Sequence, residues 1–150
     1  MNRIIPFVTL ILFSTHCYSS ASYPNNEVDI GKSGDSSKMS RTIKLTQVDN
    51  MFLPSEIKVS EGETIQFVIK NGGSRKHEML MGSMADLKKA ANMRRMFPEK
   101  DHSEANLVQL EPGEQKEFIW QFTSAGAINF ACPLPGHFKK MRGTIIVEKK

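Results

Sequence analysis

Short segments in which apolar and polar residues alternate recur from Arg41 onward, and they restrict the fold more than any other feature. Residues 42–48 alternate between polar and apolar, as a strand with one buried face does. Further short segments that contain apolar residues follow at 57–59, 64–69, 77–81, 106–110, 117–122, 127–131 and 144–148, with turn residues between most of them. Short strands at this spacing predict a β-sandwich rather than alternating strands and helices.

One segment has a helical pattern. Residues 83–97 begin with Ser83, a good N-cap residue, with Asp86 three positions later, and Pro98 follows the segment. Met84, Leu87 and Ala91 share one stripe. We therefore expect one short inserted helix.

A short loop near the carboxyl end carries three metal-ligating residue types. Cys132, His137 and Met141 surround the turn-forming run Pro-Leu-Pro-Gly. A thiolate, an imidazole and a thioether are the ligands of a blue-copper site, which needs a second imidazole. His77, at the start of the strand 77–81, is the candidate.

Other interpretations exist for each of these residues. A single buried cysteine, histidine or methionine often only packs in a core, but this combination at this spacing favours a metal site. Two histidines, a cysteine and a water can also hold zinc. Met141 favours the softer copper ion.

The sequence resembles the cupredoxins, the azurin and plastocyanin family. The stretch 130–147 is similar to their copper loop, with the spacing of Cys132, His137 and Met141 resembling that of azurin. The chain looks closest to bacterial periplasmic cupredoxin-like copper-binding proteins, and the resemblance covers about residues 41–149. Further matching segments are 52–67 with Asn71, 76–79, Phe97-Pro98, 110–114 and Phe122.

The resemblance implies an all-β Greek-key sandwich with one helix inserted around 83–97. It implies one copper ion per chain, held by His77, Cys132 and His137 with Met141 as a long axial ligand. His137 is then the partly exposed ligand, and Leu134, Pro135 and Phe138 form an apolar docking rim for a redox or copper-handling protein.

Two functions remain open at this point. The first is one-electron transfer by cycling between Cu(I) and Cu(II), and the second is copper tolerance or delivery, with the metal as cargo. A multicopper oxidase needs many more histidines than His77, His102 and His137, which argues against an enzyme.

The amino terminus predicts export. Residues 1–21 read as a signal peptide: Arg3 precedes an apolar run of ten residues at 4–13, and Ser19-Ser20-Ala21 offers a cleavage site. Acylation of Cys17 is the alternative, although His16 before it is bulky. We predict a flexible leader at 22–40, rich in Ser, Asn, Gly and Asp, a copper-binding domain at 41–150, a periplasmic location and no membrane span after cleavage.

Charge and cysteine content narrow the function further. Removing Arg3 with the signal changes the formal charge from +4 to +3. Removing Cys17 leaves Cys132 as a lone thiol, which needs a role other than an internal disulfide. The scattered basic residues argue against nucleic-acid binding. Lys139, Lys140 and Arg142 beside the loop are as consistent with steering an acidic partner as with solubility.

Two further features have a structural and a metal-binding interpretation. Five methionines lie within eighteen residues, and packing is favoured over a Cu(I) patch. His102 is a solvated loop residue or, less favoured, an accessory ligand. The methionines are Met79, Met81, Met84, Met93 and Met96.

Overall fold

Two five-stranded sheets face each other in the computed structural model, which describes residues 28–150. The first sheet has the order β1-β8-β5-β2-β3 and the second β4-β10-β9-β6-β7. The strands are β1 (Lys32–Ser33), β2 (Arg41–Val48), β3 (Met51–Leu53), β4 (Glu56–Ser60), β5 (Thr64–Asn71), β6 (His77–Gly82), β7 (Leu107–Leu110), β8 (Gln115–Gln121), β9 (Gly126–Ala131) and β10 (Arg142–Glu148). The predicted all-β sandwich is confirmed.

Strand pairing explains why the chain crosses between the sheets. The pairs β2–β5 and β4–β10 are parallel, and parallel neighbours cannot be joined by a tight hairpin. The chain between the members of each parallel pair therefore crosses to the other sheet, as in a Greek-key sandwich.

The core lies between the two sheets and is rich in phenylalanine. Phe52 of the first sheet meets Phe130 of the second edge to face, with ring centroids 5.0 Å apart. Phe67 and Phe122 are also fully buried. Burying each such side chain stabilises the fold by about 1.5–3 kcal/mol.

The predicted helix is present as α1 (Met84–Met96) and covers the outer face of β6. Ser83 caps it by accepting a hydrogen bond from the Asp86 N–H. Leu87 is fully buried and packs with Leu80 of β6. All six residues of β6 are consequently buried, since the core covers one face and the helix the other.

Part of the predicted leader is packed on the sandwich, which corrects the expectation of a flexible segment for residues 28–40. Lys32–Ser33 pairs with β8, and the Trp120 indole N–H donates to the Ile30 carbonyl at 2.6 Å. A buried indole N–H needs a partner, and Ile30 adds apolar contact with the core. Residues 22–27 and the predicted signal lie outside the described residues.

Candidate metal centre

Antiparallel pairing brings His77 and Cys132 to the same end of the sandwich. Strands β6 and β9 are neighbours, with Leu80 opposite Ala131. The first residue of β6 therefore lies at the same end of the sheet as the residue that follows β9. These two residues are His77 and Cys132.

Backbone hydrogen bonds fold the loop after β9 back on itself. The Cys132 N–H donates to the Met141 carbonyl at 3.0 Å, and the Met141 N–H donates to the His137 carbonyl at 2.9 Å. Between them, Gly136 has a φ of 83°, which an L side chain rarely adopts. The loop thus turns His137 inward over Cys132.

Three of the four predicted ligands converge. The ligand atoms of His77, Cys132 and His137 all lie within 4.8 Å of one another. The Cys132 Sγ is 3.4 Å from the His137 Nδ1, and the two imidazole centroids are 4.9 Å apart. His77 and Cys132 are fully buried and His137 is 6% exposed. Met141 is fully buried in the same core cluster as Cys132, and its role as a ligand stays a prediction.

Asp49 sets the tautomer of His77. The His77 Nε2 lies 3.0 Å from the Asp49 Oδ1, so this nitrogen donates its hydrogen to the carboxylate. The hydroxyl of Ser74 donates to the other oxygen of Asp49 at 2.6 Å. The Ser74 hydroxyl first and His77 second lower the pKa of Asp49 to about 2, so it is ionised at neutral pH.

This tautomer leaves the His77 Nδ1 with a free lone pair. Within residues 28–150, that buried nitrogen has no hydrogen-bond partner, which is rare for a buried polar atom. His77 belongs to the cluster of converging donors. The donor set of a soft thiol and two imidazoles suits a copper ion, and a metal would satisfy the unpartnered nitrogen.

Burial sets the protonation of the other two donors. It raises the pKa of the Cys132 thiol to about 11, although the backbone N–H groups of Glu78 and Leu134 act in the opposite direction. Burial also lowers the pKa of His137. At neutral pH the metal-free site therefore holds a protonated thiol and a neutral His137, and a metal must displace the thiol proton.

A buried ion pair lies directly behind the thiol. The Glu78 carboxylate accepts from the Arg94 Nε at 2.8 Å and from the Gln109 amide at 3.0 Å. The backbone N–H of Glu78 donates to the Cys132 Sγ at 3.4 Å. Glu78 therefore neither faces solvent nor binds in the cluster; it connects the thiol to helix α1.

His102 and the methionine segment lie outside the cluster of three donors. The His102 Nδ1 is 3.8 Å from a carboxylate oxygen of Glu104. Met79 and Met81 are buried in the main core, as packing predicts, and Met96 is exposed.

Sequence reasoning missed Asp49 and Arg94 as neighbours of the site. The sequence around Asp49 predicts only a turn, and the aliphatic stem of Arg94 lies on the helix stripe of Met84, Leu87 and Ala91. The available signal for Asp49 was an acidic residue directly after a strand. For Arg94 it was a charged residue on the apolar stripe of a helix, which needs a buried partner.

We expect Asp49→Ala to weaken metal binding about 10- to 100-fold, because partners that orient ligating histidines typically contribute that much. Competition with a chelator of known affinity measures the change. Asp35→Ala is the matched control, since the Asp35 carboxylate bonds the neighbouring Ser37 and, within residues 28–150, no member of the cluster. Equal affinities of the two variants would contradict the role of Asp49.

Comparison with known proteins identifies the family to which this fold belongs. The family model for the cupredoxin-like domain matches residues 7–147. The chain belongs to the cupredoxin-like family. Among its relatives is the copper-resistant cuproprotein CopI of Rubrivivax gelatinosus, 41% identical over 120 residues, which span 79% of this chain and 73% of the relative. CopI of Pseudomonas aeruginosa is 29% identical over 177 aligned residues, covering 98% of each protein.

Solved structures agree on the fold of this cupredoxin-like chain. A dithionite-reduced auracyanin from Roseiflexus castenholzii matches with a TM-score of 0.63 at 22% identity, over 73% of this chain and 98% of the other. Auracyanin A from Chloroflexus aurantiacus, a blue copper protein, matches with a TM-score of 0.61 at 22% identity, over 71% and 98%. In the part of the chain that the structure describes, no helix has the length and apolar character needed to cross a membrane.

Proposed function

We propose that the protein is a periplasmic copper-binding protein that transfers single electrons. The observation that carries this proposal is the convergence of two imidazoles and one thiol within 4.8 Å at a buried end of the sandwich. One copper ion would be held by His77, Cys132 and His137, with Met141 as the fourth ligand. When bound, copper supplies a reversible one-electron couple between Cu(I) and Cu(II).

The chain's own residues prepare the site for this role. Asp49 holds the Nδ1 of His77 free to ligate, and Glu78 donates its N–H to the sulfur. Both sheets and the closed loop keep water away from the donors, as the burial of His77 and Cys132 shows. A rigid, dry set of soft ligands favours electron transfer because little must rearrange.

The test is a Cu(II) titration of protein purified from the periplasm of a bacterium expressing the full chain. We expect an intense visible band that saturates at one equivalent of copper, together with the EPR signal of a copper-thiolate site. A colourless protein that binds copper weakly and without fixed stoichiometry would overturn the proposal. Recovery only from the cytoplasm would overturn the periplasmic location.

Copper tolerance or delivery is the second candidate, favoured by the relatives named copper-resistant cuproproteins. Here copper is cargo. The two functions differ in kinetics: an electron-transfer protein exchanges electrons faster than it loses copper, whereas a delivery protein passes Cu(I) rapidly to a competing chelator. Measuring both rates on one preparation separates them.

The proposed partner is a redox or copper-handling protein that docks at the loop. Leu134 and Phe138 are partly buried and Pro135 is exposed, so the loop presents an apolar surface above His137. Lys139 and Lys140 are exposed beside it, which suits an acidic partner. No catalytic role is proposed, because the thiol and both imidazoles of the cluster are assigned to the metal.

Copper binding is expected to release a proton and to tighten with pH. Because the pKa of Cys132 is raised to about 11, the thiol is protonated at neutral pH and must lose its proton on ligation. The apparent Kd should therefore fall about tenfold per pH unit between about pH 7 and 9. Calorimetry in buffers of different ionisation enthalpy measures the proton. Binding at pH 8 without proton release would contradict a ligating Cys132.

A further inference from the structure

A buried charge pair on the outer face of β6 needs an explanation. Glu78 is 2% exposed and Arg94 is 3% exposed, and their Nε and Oε2 atoms are 2.8 Å apart. Desolvation of two such groups often exceeds what their attraction returns, so a buried pair is weak evidence for stability. Apolar residues could fill this space between helix and sheet. The pair is better explained by what it holds in place.

Glu78 contacts the helix with its side chain and the candidate ligand with its backbone. One carboxylate oxygen accepts from Arg94 and the other from Gln109. Both oxygens are therefore fixed, one from α1 and one from β7. The N–H of the same residue points at the Cys132 Sγ, 3.4 Å away.

We propose that Arg94 is a positioning residue for the Cys132 sulfur, acting through Glu78. By holding the carboxylate, Arg94 keeps the Glu78 backbone oriented so that its N–H donates to the sulfur. The inference rests on the proposed copper site, since it names a residue that tunes that site. It also gives helix α1 a function, because Arg94 is the buried charged residue of that helix.

A hydrogen bond to the sulfur has a defined effect on a copper-thiolate site. It stabilises the charge on the thiolate and reduces the electron density donated to the metal, and hydrogen bonding around this sulfur tunes the potential of such sites. Weakening this hydrogen bond increases electron donation from the sulfur to Cu(II). The reduction potential then falls and the thiolate-to-copper band shifts.

The first experiment uses the metal-free protein and compares Arg94→Met with Arg95→Met. Arg95 is the exposed neighbour on the same helix, so its variant controls for loss of a charge. We expect amide hydrogen exchange at Glu78 to accelerate about tenfold in Arg94→Met, as loss of one hydrogen bond predicts. Exchange at Phe67, in the other sheet, reports global opening. Equal acceleration at Glu78 and Phe67 would overturn the proposal.

A second pair of variants avoids leaving Glu78 as an unpaired buried charge. In Glu78→Gln the side chain can still accept from Arg94, while Arg94 keeps Glu104 at 3.5 Å as a charged partner. We expect this variant to retain protection of the residue 78 amide. The double variant Glu78→Gln/Arg94→Met buries no charge at these positions but lacks the guanidinium that holds the side chain of residue 78. Its residue 78 amide should therefore lose protection from exchange. Equal protection in the two variants would overturn the proposal.

The copper-loaded proteins supply the second readout. The band should shift and the potential should fall in Arg94→Met relative to Arg95→Met. Unchanged values with only lower thermal stability would overturn the proposal and leave Arg94 a structural residue. A parent protein that forms no copper-thiolate band would refute the proposed function instead, while the exchange experiment on metal-free protein still decides the role of Arg94.

Discussion

Replacing Cys132 by serine is expected to abolish the intense visible absorption of the copper-loaded protein. The band arises from electron donation by a thiolate, and a serine oxygen supplies neither a thiolate nor a soft ligand. The side chain is fully buried and close to isosteric with serine, so the fold should survive. Absorption and EPR spectra of the purified variant after Cu(II) addition measure the effect.

The matched control for this variant is His102→Ala. His102 is the remaining histidine of the described chain and lies outside the cluster of converging donors. We expect this variant to keep both the band and one copper per chain. A band that survives in Cys132→Ser, or disappears in His102→Ala, would mean that the metal is held elsewhere.

The largest loss of stability is expected from Gly143→Ala, at the point where β10 leaves the loop. A Cβ atom there would lie 2.5 Å from the Ser55 backbone carbonyl oxygen and against the ring of Phe130. That carbonyl already accepts from the Thr144 N–H at 2.8 Å, so it cannot move without breaking a bond. Overpacking a core typically lowers the free energy of unfolding by about 1–3 kcal/mol and occasionally by more. We expect a loss of about 3 kcal/mol for Gly143→Ala.

Urea unfolding of the metal-free protein, followed by the fluorescence of the single tryptophan, measures this loss. Gly82→Ala is the control, since the nearest atom to its Cβ is the Asp86 Cβ at 3.5 Å, an ordinary contact. Gly82→Ala should lower the free energy of unfolding by less than about 1 kcal/mol. If both substitutions reduced the free energy of unfolding equally, the close packing of β10 against residue 55 would be refuted.

Local patterns predicted most of the sandwich. Alternation located the strand that contains Leu45, because burial on one face leaves a period of two in the sequence. β-Branched and aromatic residues between turn residues located the strands that contain Phe67 and Ile145. The capping residues located α1 for the same local reason. These patterns do not show which distant segments come into contact. No residue near Ile30 indicates that it meets Trp120, 90 positions away.

The candidate site was predictable to the extent that its chemistry is local. Cys132, His137 and Met141 form a recognisable group because ten consecutive residues carry them. His77 could be added only because the ligand set lacked an imidazole. Asp49 and Arg94 act on the site through contacts that the folded sheets create, so the sequence around each residue showed only a turn and a helix.

Three of the four candidate ligands reside on one loop, whereas His77 arrives from a strand far away in the chain, and this arrangement bears on how the protein folds. An unfolded chain can already chelate through Cys132, His137 and Met141, but a bond to His77 requires β6 to be paired with β9. A ligand that also binds the unfolded state stabilises the native state less. Copper present while the chain folds would therefore be captured first by the loop alone. Pairing of the two strands would then convert that weak chelate into the complete, enclosed site.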